Sequence, residues 1–189
     1  ASGAFADSST AVGEGTLTIE FGRWNADQTT FSAEPSRTAL VIPISVPDNS
    51  VDAIKAKINA ANSGVTASVV RDASGARLVL RSLTTGEVSA MRITTADTGD
   101  GNSGDALGLS SLNFDPPTAV AGQATQVQAA SDAAARVNVI DLVSSTNTLT
   151  NVLDGLTLTL GKVTAAPVSV SVALDTASQR KAIGELAKA

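Results

Sequence analysis

The stretch from Ser45 to Ser82 constrains the fold more than any other part of the sequence, since it predicts a short amphipathic helix followed directly by a two-stranded hairpin. Asn49 or Ser50 is expected to cap the helix, because a side-chain oxygen there accepts a hydrogen bond from a free backbone N–H of the first turn. Gly64 follows the last periodic residue, where a left-handed cap favours a residue without a Cβ. The apolar face of the helix is expected to hold Val51, Ile54, Ile58 and Ala61.

Alternating apolar residues predict several strands around this unit. Residues 65–71 and 76–82 form the hairpin, joined by the turn sequence at 72–75. Residues 16–21 alternate cleanly, with Leu17, Ile19 and Phe21 on one face, and residues 25–37 read as a loop or an irregular hairpin. Residues 40–46 form another strand, which Pro43 assigns to a sheet edge because proline has no N–H to donate. Residues 91–95 complete the set.

The second half of the chain has its own β pattern. Pro116-Pro117 and the Ala-rich run after it mark a shift in composition and a domain boundary. Beyond it we expect strands at 137–143, 156–160 and 168–172, and a one-turn element at 151–155 that ends at Gly155. A helix is expected to begin within 176–189. The fold class predicted from the whole pattern is mainly β with short helices.

Composition argues against several classes of function. The chain has 189 residues, a net charge of −5 and no run of Lys or Arg, which disfavours a nucleic-acid partner. No apolar run approaches the roughly 20 residues that a membrane helix needs. His, Cys and Tyr are absent, which removes most general bases, nucleophiles and transition-metal ligands. We therefore predict no enzymatic activity, no catalytic residue, no cofactor and no metal.

Two motifs in the loop at 97–105 nevertheless suggest ligand chemistry. Residues 99–104 match GxGxxG, but they lack the strand–helix context that dinucleotide binding requires. A calcium site could draw on carboxylate and amide oxygens, yet the spacing departs from the EF-hand register. The residues available to it are Asp97, Asp100, Asn102 and Asp105. A mobile surface loop is the better interpretation of this segment.

Other side chains carry a functional and a structural interpretation side by side. Arg71, Arg77 and Arg81 lie on the predicted hairpin and could bind a phosphate or a sialic acid. A solvated face that protects an edge strand from aggregation explains them more simply. Trp24 is the sole tryptophan. Both an exposed contact residue and a buried core residue fit it.

Two longer segments carry a family resemblance. Residues 51–87 are similar to the flagellin-type IN repeat, with Ile58-Asn59 near the helix end, Gly64, the VTASVV strand, the DASG turn and the LVL strand. Residues 144–164, with SSTNT followed by DGLTLTL, resemble a second segment of the same family, and the valine-rich strand and Asp175-Thr176 that follow lead into a helix. The chain thereby resembles the head region of the bacterial flagellar filament cap proteins (the FliD family, hook-associated proteins of the cap).

The resemblance implies two small β-rich head domains with antiparallel sheets, one inserted in the other. Residues 1–14 and 121–175 would form the base domain, 15–120 the inserted outer domain with the IN-type helix and hairpin at 45–82, and 176–189 the start of a leg helix. The family's terminal coiled-coil legs lie outside the sequence, so we expect a head-domain fragment.

The resemblance also implies a structural role outside the cell. Copies of the full-length protein would form a ring at the tip of the flagellum that retains exported flagellin and promotes its folding and polymerisation. Export would pass through the flagellar secretion apparatus. We expect no nucleic-acid partner and no membrane partner. The expected partners are other copies of the protein and flagellin, and no contact residue is predicted for either. The alternative is an adhesive module of a flagellin-like or hook-associated protein that binds host mucin or a glycan.

Overall fold

The structure is a computed structural model that describes residues 1–153 and 156–171. One compact unit comprises Ala1–Thr159 and a second begins at Leu160. All the strand pairs of the first unit are antiparallel among the described residues. The predicted class, mainly β with short helices, is confirmed. No helix in the described part of the chain is long and apolar enough to span a membrane.

Helix α1 spans Val51–Ala60, where the sequence places it. Ser50 is the N-cap, and its hydroxyl accepts a hydrogen bond from the N–H of Ala53 at 3.2 Å. Val51, Ile54 and Ile58 are fully buried, whereas Ala61 lies beyond the last turn and is exposed. Asn62 and Gly64 both have positive φ, at 46° and 86°. The chain therefore leaves the helix two residues earlier than the predicted cap, through an asparagine that tolerates the left-handed conformation.

The predicted hairpin follows as strands β4, Val65–Asp72, and β5, Gly75–Ser82. Asp72 organises the turn, because its carboxylate accepts a hydrogen bond from the N–H of Ser74 at 2.7 Å. Asn59 ties α1 to β4: its side chain accepts from the N–H of Ala67 at 2.8 Å and donates to the carbonyl of Ala67 at 2.9 Å. The asparagine of the IN motif thus forms the hydrogen bonds of a backbone N–H and C=O in β4 that point away from β5.

The main sheet is built around β1, Gly15–Trp24. Strand β3, Leu40–Ile44, pairs with its first half, β2, Phe31–Ala33, pairs with its last residues, and β6, Ala90–Asp97, runs along the opposite side. Pro43 therefore lies on an edge strand, as its missing N–H requires. The predicted loop or irregular hairpin at 25–37 contains β2 and closes the β1–β2 hairpin.

One core joins this sheet to α1 and the β4–β5 hairpin. Leu17, Ile19 and Phe21 form the predicted apolar face of β1, with exposed fractions of 0%, 0% and 2%. A 3-10 turn, Gly108–Leu112, contributes Leu109 to the same core, at 0% exposed. Further 3-10 turns occur at Glu87–Ser89 and Pro116–Thr118.

The N-terminal residues lie against the outer edge of β5. Phe5 pairs with Ala76 through two backbone hydrogen bonds of 2.8 Å, and Ser2 donates its N–H to the carbonyl of Leu78 at 2.9 Å. The N-terminal ammonium of Ala1 donates to the carbonyl of Thr125 at 2.6 Å. Residues on both sides of the predicted domain boundaries are therefore in contact. The division into a base and an inserted domain stays a prediction.

Four short strands form two further hairpins: β7, Ala133–Val137, with β8, Ile140–Ser144, and β9, Thr148–Leu153, with β10, Leu156–Thr159. The prediction of one strand at 137–143 was wrong. Asn138 and Val139 have φ of 48° and 65°, so the chain reverses there in a two-residue turn. The prediction of a one-turn element at 151–155 was also wrong at its start, since Asn151–Leu153 belong to β9.

Several predictions concern the end of the chain. Residues 160–171 carry no strand in the structure, which contradicts the described part of the strand predicted at 168–172. Val168 and Val170 are instead exposed, at 70% and 64%. The helix predicted within 176–189 and residues 154–155 lie outside the described residues.

The cap of α1 yields the first testable prediction. We expect Ser50→Ala to lower the free energy of unfolding by about 1 kcal/mol, because the N–H of Ala53 loses its acceptor. Urea denaturation monitored by circular dichroism measures the change. Ser45→Ala is the control, since Ser45 is exposed and outside the helix, and its effect should stay within about 0.5 kcal/mol. Equal effects of the two variants would contradict the capping role.

Candidate interaction surfaces

The loop at 97–105 is held by its own polar side chains. Asp97 is buried, and its carboxylate accepts from the N–H of Gly99 at 2.8 Å and from the N–H of Ser110 at 3.1 Å. Asp100, Asn102 and Asp105 each accept a backbone N–H two residues ahead. These oxygens therefore close turns and are not directed at a shared point. Within the described ranges no group of three or more acidic residues could hold a metal ion.

The GxGxxG match at 99–104 belongs to the same loop. It follows β6, a strand of an antiparallel sheet, and leads to a 3-10 turn. The phosphate site of a dinucleotide-binding unit needs a strand, the glycine loop and a long helix in a parallel arrangement. The surroundings of this motif differ in each of these respects, so it provides no cradle for a phosphate.

The three arginines of the hairpin do not converge on one site. Arg71 lies beside α1, 3.6 Å from the carboxylate of Asp52, whereas Arg77 lies 3.5 Å from the carboxylate of Asp72 at the turn. A hydrogen bond from Lys55 lowers the pKa of Asp52, and one from Ser74 lowers the pKa of Asp72. Both carboxylates therefore stay charged well into the acidic range. The phosphate or sialic-acid site considered from the sequence lacks the cluster that it requires.

Trp24 is a core residue in the structure. Its side chain is 9% exposed, and its indole N–H donates a hydrogen bond to the carbonyl of Met91 at 3.1 Å. The ring packs against Phe31 and Phe114, with centroid distances of 4.9 Å and 6.2 Å. Of the two interpretations left open by the sequence, burial is correct, and Trp24 offers no exposed aromatic platform.

A surface groove of about 520 Å³ opens between β5 and the extended segment 124–131. We call it the β5 groove. Its lining is mixed: Leu80, Met91 and Phe114 are among the apolar side chains, Gln126 and Gln128 are among the polar ones, and Arg81 is the one charged side chain among the described residues that line it. The opposite wall is fixed where Ala124 donates its N–H to the carbonyl of Asn113 at 3.0 Å.

The edge of β5 that faces the groove is open. Ala76 and Leu78 direct their backbone groups outward, to Phe5 and Ser2. Backbone direction alternates along a strand, so Leu80 and Ser82 direct theirs to the same side. No backbone partner for these two residues is present in the described part of the chain. This part of β5 can therefore accept another strand.

The β7–β8 hairpin is the second candidate surface, and we call it the apolar hairpin. Val139, Ile140 and Val143 are 84%, 63% and 71% exposed. The base of the hairpin is fixed, because Asp132 accepts a hydrogen bond from the N–H of Glu87 at 2.7 Å and the hydroxyl of Thr85 donates to the carbonyl of Ser145 at 2.7 Å. The tip thus projects from an anchored base.

The sequence predicted neither surface. The apolar hairpin was hidden because VNVIDLV reads as one buried strand when the turn at Asn138 is missed. Asparagine in a two-residue turn was the available signal. The β5 groove has no local signature, since its walls come from distant segments of the chain.

Two family models match this chain. The model of the C-terminal part of flagellar hook-associated protein 2 matches residues 130–189, and the model of the flagellin hook IN motif matches residues 26–84. The second match contains β2, β3, α1, β4 and β5 of the fold described above. The two matches lie in different parts of the chain.

Two curated relatives are also flagellar hook-associated proteins 2. The chain is 29% identical to the B-type flagellar hook-associated protein 2 of Pseudomonas aeruginosa over 156 residues, which is 78% of this chain and 32% of that protein. It is 34% identical to the flagellar hook-associated protein 2 of Salmonella typhimurium over 133 residues, 70% of this chain and 27% of that protein. The chain thus spans about a third of the length of these relatives.

Solved structures share the fold. The crystal structure of FliD (HAP2) from Pseudomonas aeruginosa gives a TM-score of 0.74 at 27% identity, over 99% of this chain and 79% of that one. The D1-D2-D3 domains of the flagellar cap protein FliD from Escherichia coli give a TM-score of 0.72 at 25% identity, over 96% of this chain and 46% of that one. The similarity in structure covers nearly the whole of this chain.

Proposed function

Because the chain belongs to the family of flagellar cap proteins (hook-associated protein 2), we propose that it forms the head of a cap at the tip of the bacterial flagellar filament. The observation that carries the proposal is the agreement of two independent matches, one to each half of the chain, with a solved cap-protein fold that covers 99% of it. The cap retains exported flagellin and promotes its folding and polymerisation. Its location is outside the cell.

The cap acts by contact and not by chemistry. The partners we propose are other copies of the same protein and flagellin. Extracellular assembly at the tip calls for surfaces that bind protein segments, and the β5 groove and the apolar hairpin supply open strand edges beside apolar side chains. The acidic side chains in the loop at 97–105 accept backbone hydrogen bonds that close turns.

Adhesion to mucin or another glycan is not favoured as an alternative. Carbohydrate sites use exposed aromatic rings, whose apolar faces stack on sugars. The sole tryptophan is packed between Phe31 and Phe114, and its N–H is already donated to Met91. This leaves the assembly role as the function that we propose.

The test is a strain that lacks the gene for the whole protein. We expect heavy shedding of monomeric flagellin into the medium and short or absent filaments, because newly exported subunits leave before they polymerise. Immunoblots of the culture medium and electron microscopy of the cells measure both effects. Restoring the gene should reverse them, while an exported hook subunit, measured in parallel, should not change. Normal filaments without shedding would refute the cap function.

A further inference from the structure

We propose that the apolar hairpin of one copy inserts into the β5 groove of a neighbouring copy, and that this head-to-tail contact joins heads in the cap. The inference rests on the proposed function, since it assigns the contact between copies to two surfaces on the chain. The occupant of the groove is a second copy of this chain. Three features of the two surfaces support it.

The first feature is that both surfaces present open strand edges of similar length. In β5, Leu80 and Ser82 direct their backbone groups into the groove without a partner in the described residues. In the hairpin, the two-residue turn closes on Val137 and Ile140, so the backbone groups of Asp141 and Val143 point away from β7. Each edge therefore offers two residues to a ladder that one strand of another copy can complete.

The second feature is the match of apolar surface. On the face that carries Asp141 the hairpin exposes Val143, and Val139 and Ile140 are exposed at its tip, although an isolated two-stranded hairpin is only marginally stable in water. The groove is lined in part by apolar side chains, which include Leu80 and Met91. Burial of the β-branched side chains against these residues stabilises both elements, since the contact removes apolar area from water on the two partners at once.

The third feature is charge. Arg81 is the one charged side chain lining the groove among the described residues, and Asp141 lies on the open edge of the hairpin. Asp141 is bridged within its own hairpin by Arg136, through Oδ1 at 3.2 Å, and its side chain is 77% exposed. The other carboxylate oxygen is available to an arginine of a neighbour. Opposite charges therefore meet when hairpin and groove combine.

The two surfaces differ from each other, and this determines the kind of assembly. A contact between unlike surfaces is heterologous, so each copy keeps one free hairpin and one free groove after the first contact. Repetition of the contact closes into a ring if its rotation permits, and a closed ring leaves no growing end. A contact between two identical hairpins would stop at a dimer.

The test is charge reversal in the 189-residue chain, followed by sedimentation velocity over a range of concentrations. Arg81→Glu and Asp141→Lys each place like charges in the contact, and we expect each to weaken self-association about tenfold or more. The double variant restores opposite charges and should recover the association of the original chain. An equimolar mixture of the two single variants should recover it as well.

Arg77→Glu is the matched control. Arg77 lies on the same face of β5 as Arg81, but it is paired with Asp72 at the turn and is not among the residues that line the groove, so its reversal should leave association unchanged. Thermal unfolding of every variant must stay close to that of the original chain, as expected for substitutions at exposed side chains such as Arg81 and Asp141. This comparison separates loss of contact from loss of fold.

Other outcomes contradict the proposal in recognisable ways. If the contact joined two hairpins, Asp141→Lys would change self-association and Arg81→Glu would not. A chain that stays monomeric up to about 1 mM would refute the contact altogether. Because flagellin shedding is measured separately, the contact can fail while the cap function stands. If deletion of the gene caused no shedding, the cap function would fail whatever this chain does in solution.

Discussion

Leu17→Ala is expected to lower the free energy of unfolding by about 3 to 5 kcal/mol. Leu17 lies in the middle of β1, which pairs with β3 and β6, and its side chain is 0% exposed. Truncation removes three carbon atoms from the centre of the one core that holds sheet, helix and hairpin together, and the strands on both sides of β1 prevent the cavity from collapsing. Domains of this size are commonly stable by only about 5 to 15 kcal/mol, so one substitution takes away a large share.

Leu107→Ala is the control for this prediction, because the substitution is chemically identical but Leu107 is 68% exposed. We expect its effect to stay within about 0.5 kcal/mol. Urea titrations of both variants, monitored by circular dichroism and by the fluorescence of Trp24, give the two free energies. A cost for Leu17→Ala no larger than that for Leu107→Ala would show that β1 does not lie at the centre of the core.

The elements that the sequence predicted well are those with local signals. Helix α1 has a serine cap and a 3.6-residue apolar period, and each of these acts within a few residues. Leu17, Ile19 and Phe21 alternate with polar residues, so the buried face of β1 could be read directly. In such segments local preference and tertiary packing agree.

The elements that were missed depend on unusual backbone or on distant contacts. Val139 adopts positive φ, which is rare for a β-branched residue, and this hid the turn that divides the predicted strand at 137–143. The burial of Trp24 depends on Phe114, which a different part of the chain brings to it. The open edge at Leu80 exists because the N-terminal segment covers only the first part of β5. Apart from Asn138, which suits a two-residue turn, no local pattern encodes these arrangements.

That covering of β5 leads to the second large prediction, which concerns Gly75. Gly75 has φ of 127°, and a Cβ built on it would lie 2.0 Å from the carbonyl oxygen of Phe5. Gly75→Ala must therefore displace residues 1–5 from β5 as well as strain the turn. We expect a loss of about 2 to 5 kcal/mol, the sum of about 1 to 2 for the left-handed conformation and 1 to 3 for overpacking.

Hydrogen exchange locates the effect of Gly75→Ala within the structure. The N–H of Ala76 donates to the carbonyl of Phe5 at 2.8 Å, so its protection should fall when the N-terminal segment leaves. Gly101→Ala is the control: Gly101 also has positive φ, at 77°, but a Cβ there would meet nothing within 4 Å. It should cost only about 1 to 2 kcal/mol and leave the exchange of Ala76 unchanged. If the two variants lost the same free energy of unfolding and the N–H of Ala76 stayed protected, residues 1–5 would not depend on the missing side chain of Gly75 for their place on β5. A selective loss at Gly75 would establish that the N-terminal residues form an edge strand of this hairpin, which confines the open part of β5 to Leu80 and Ser82.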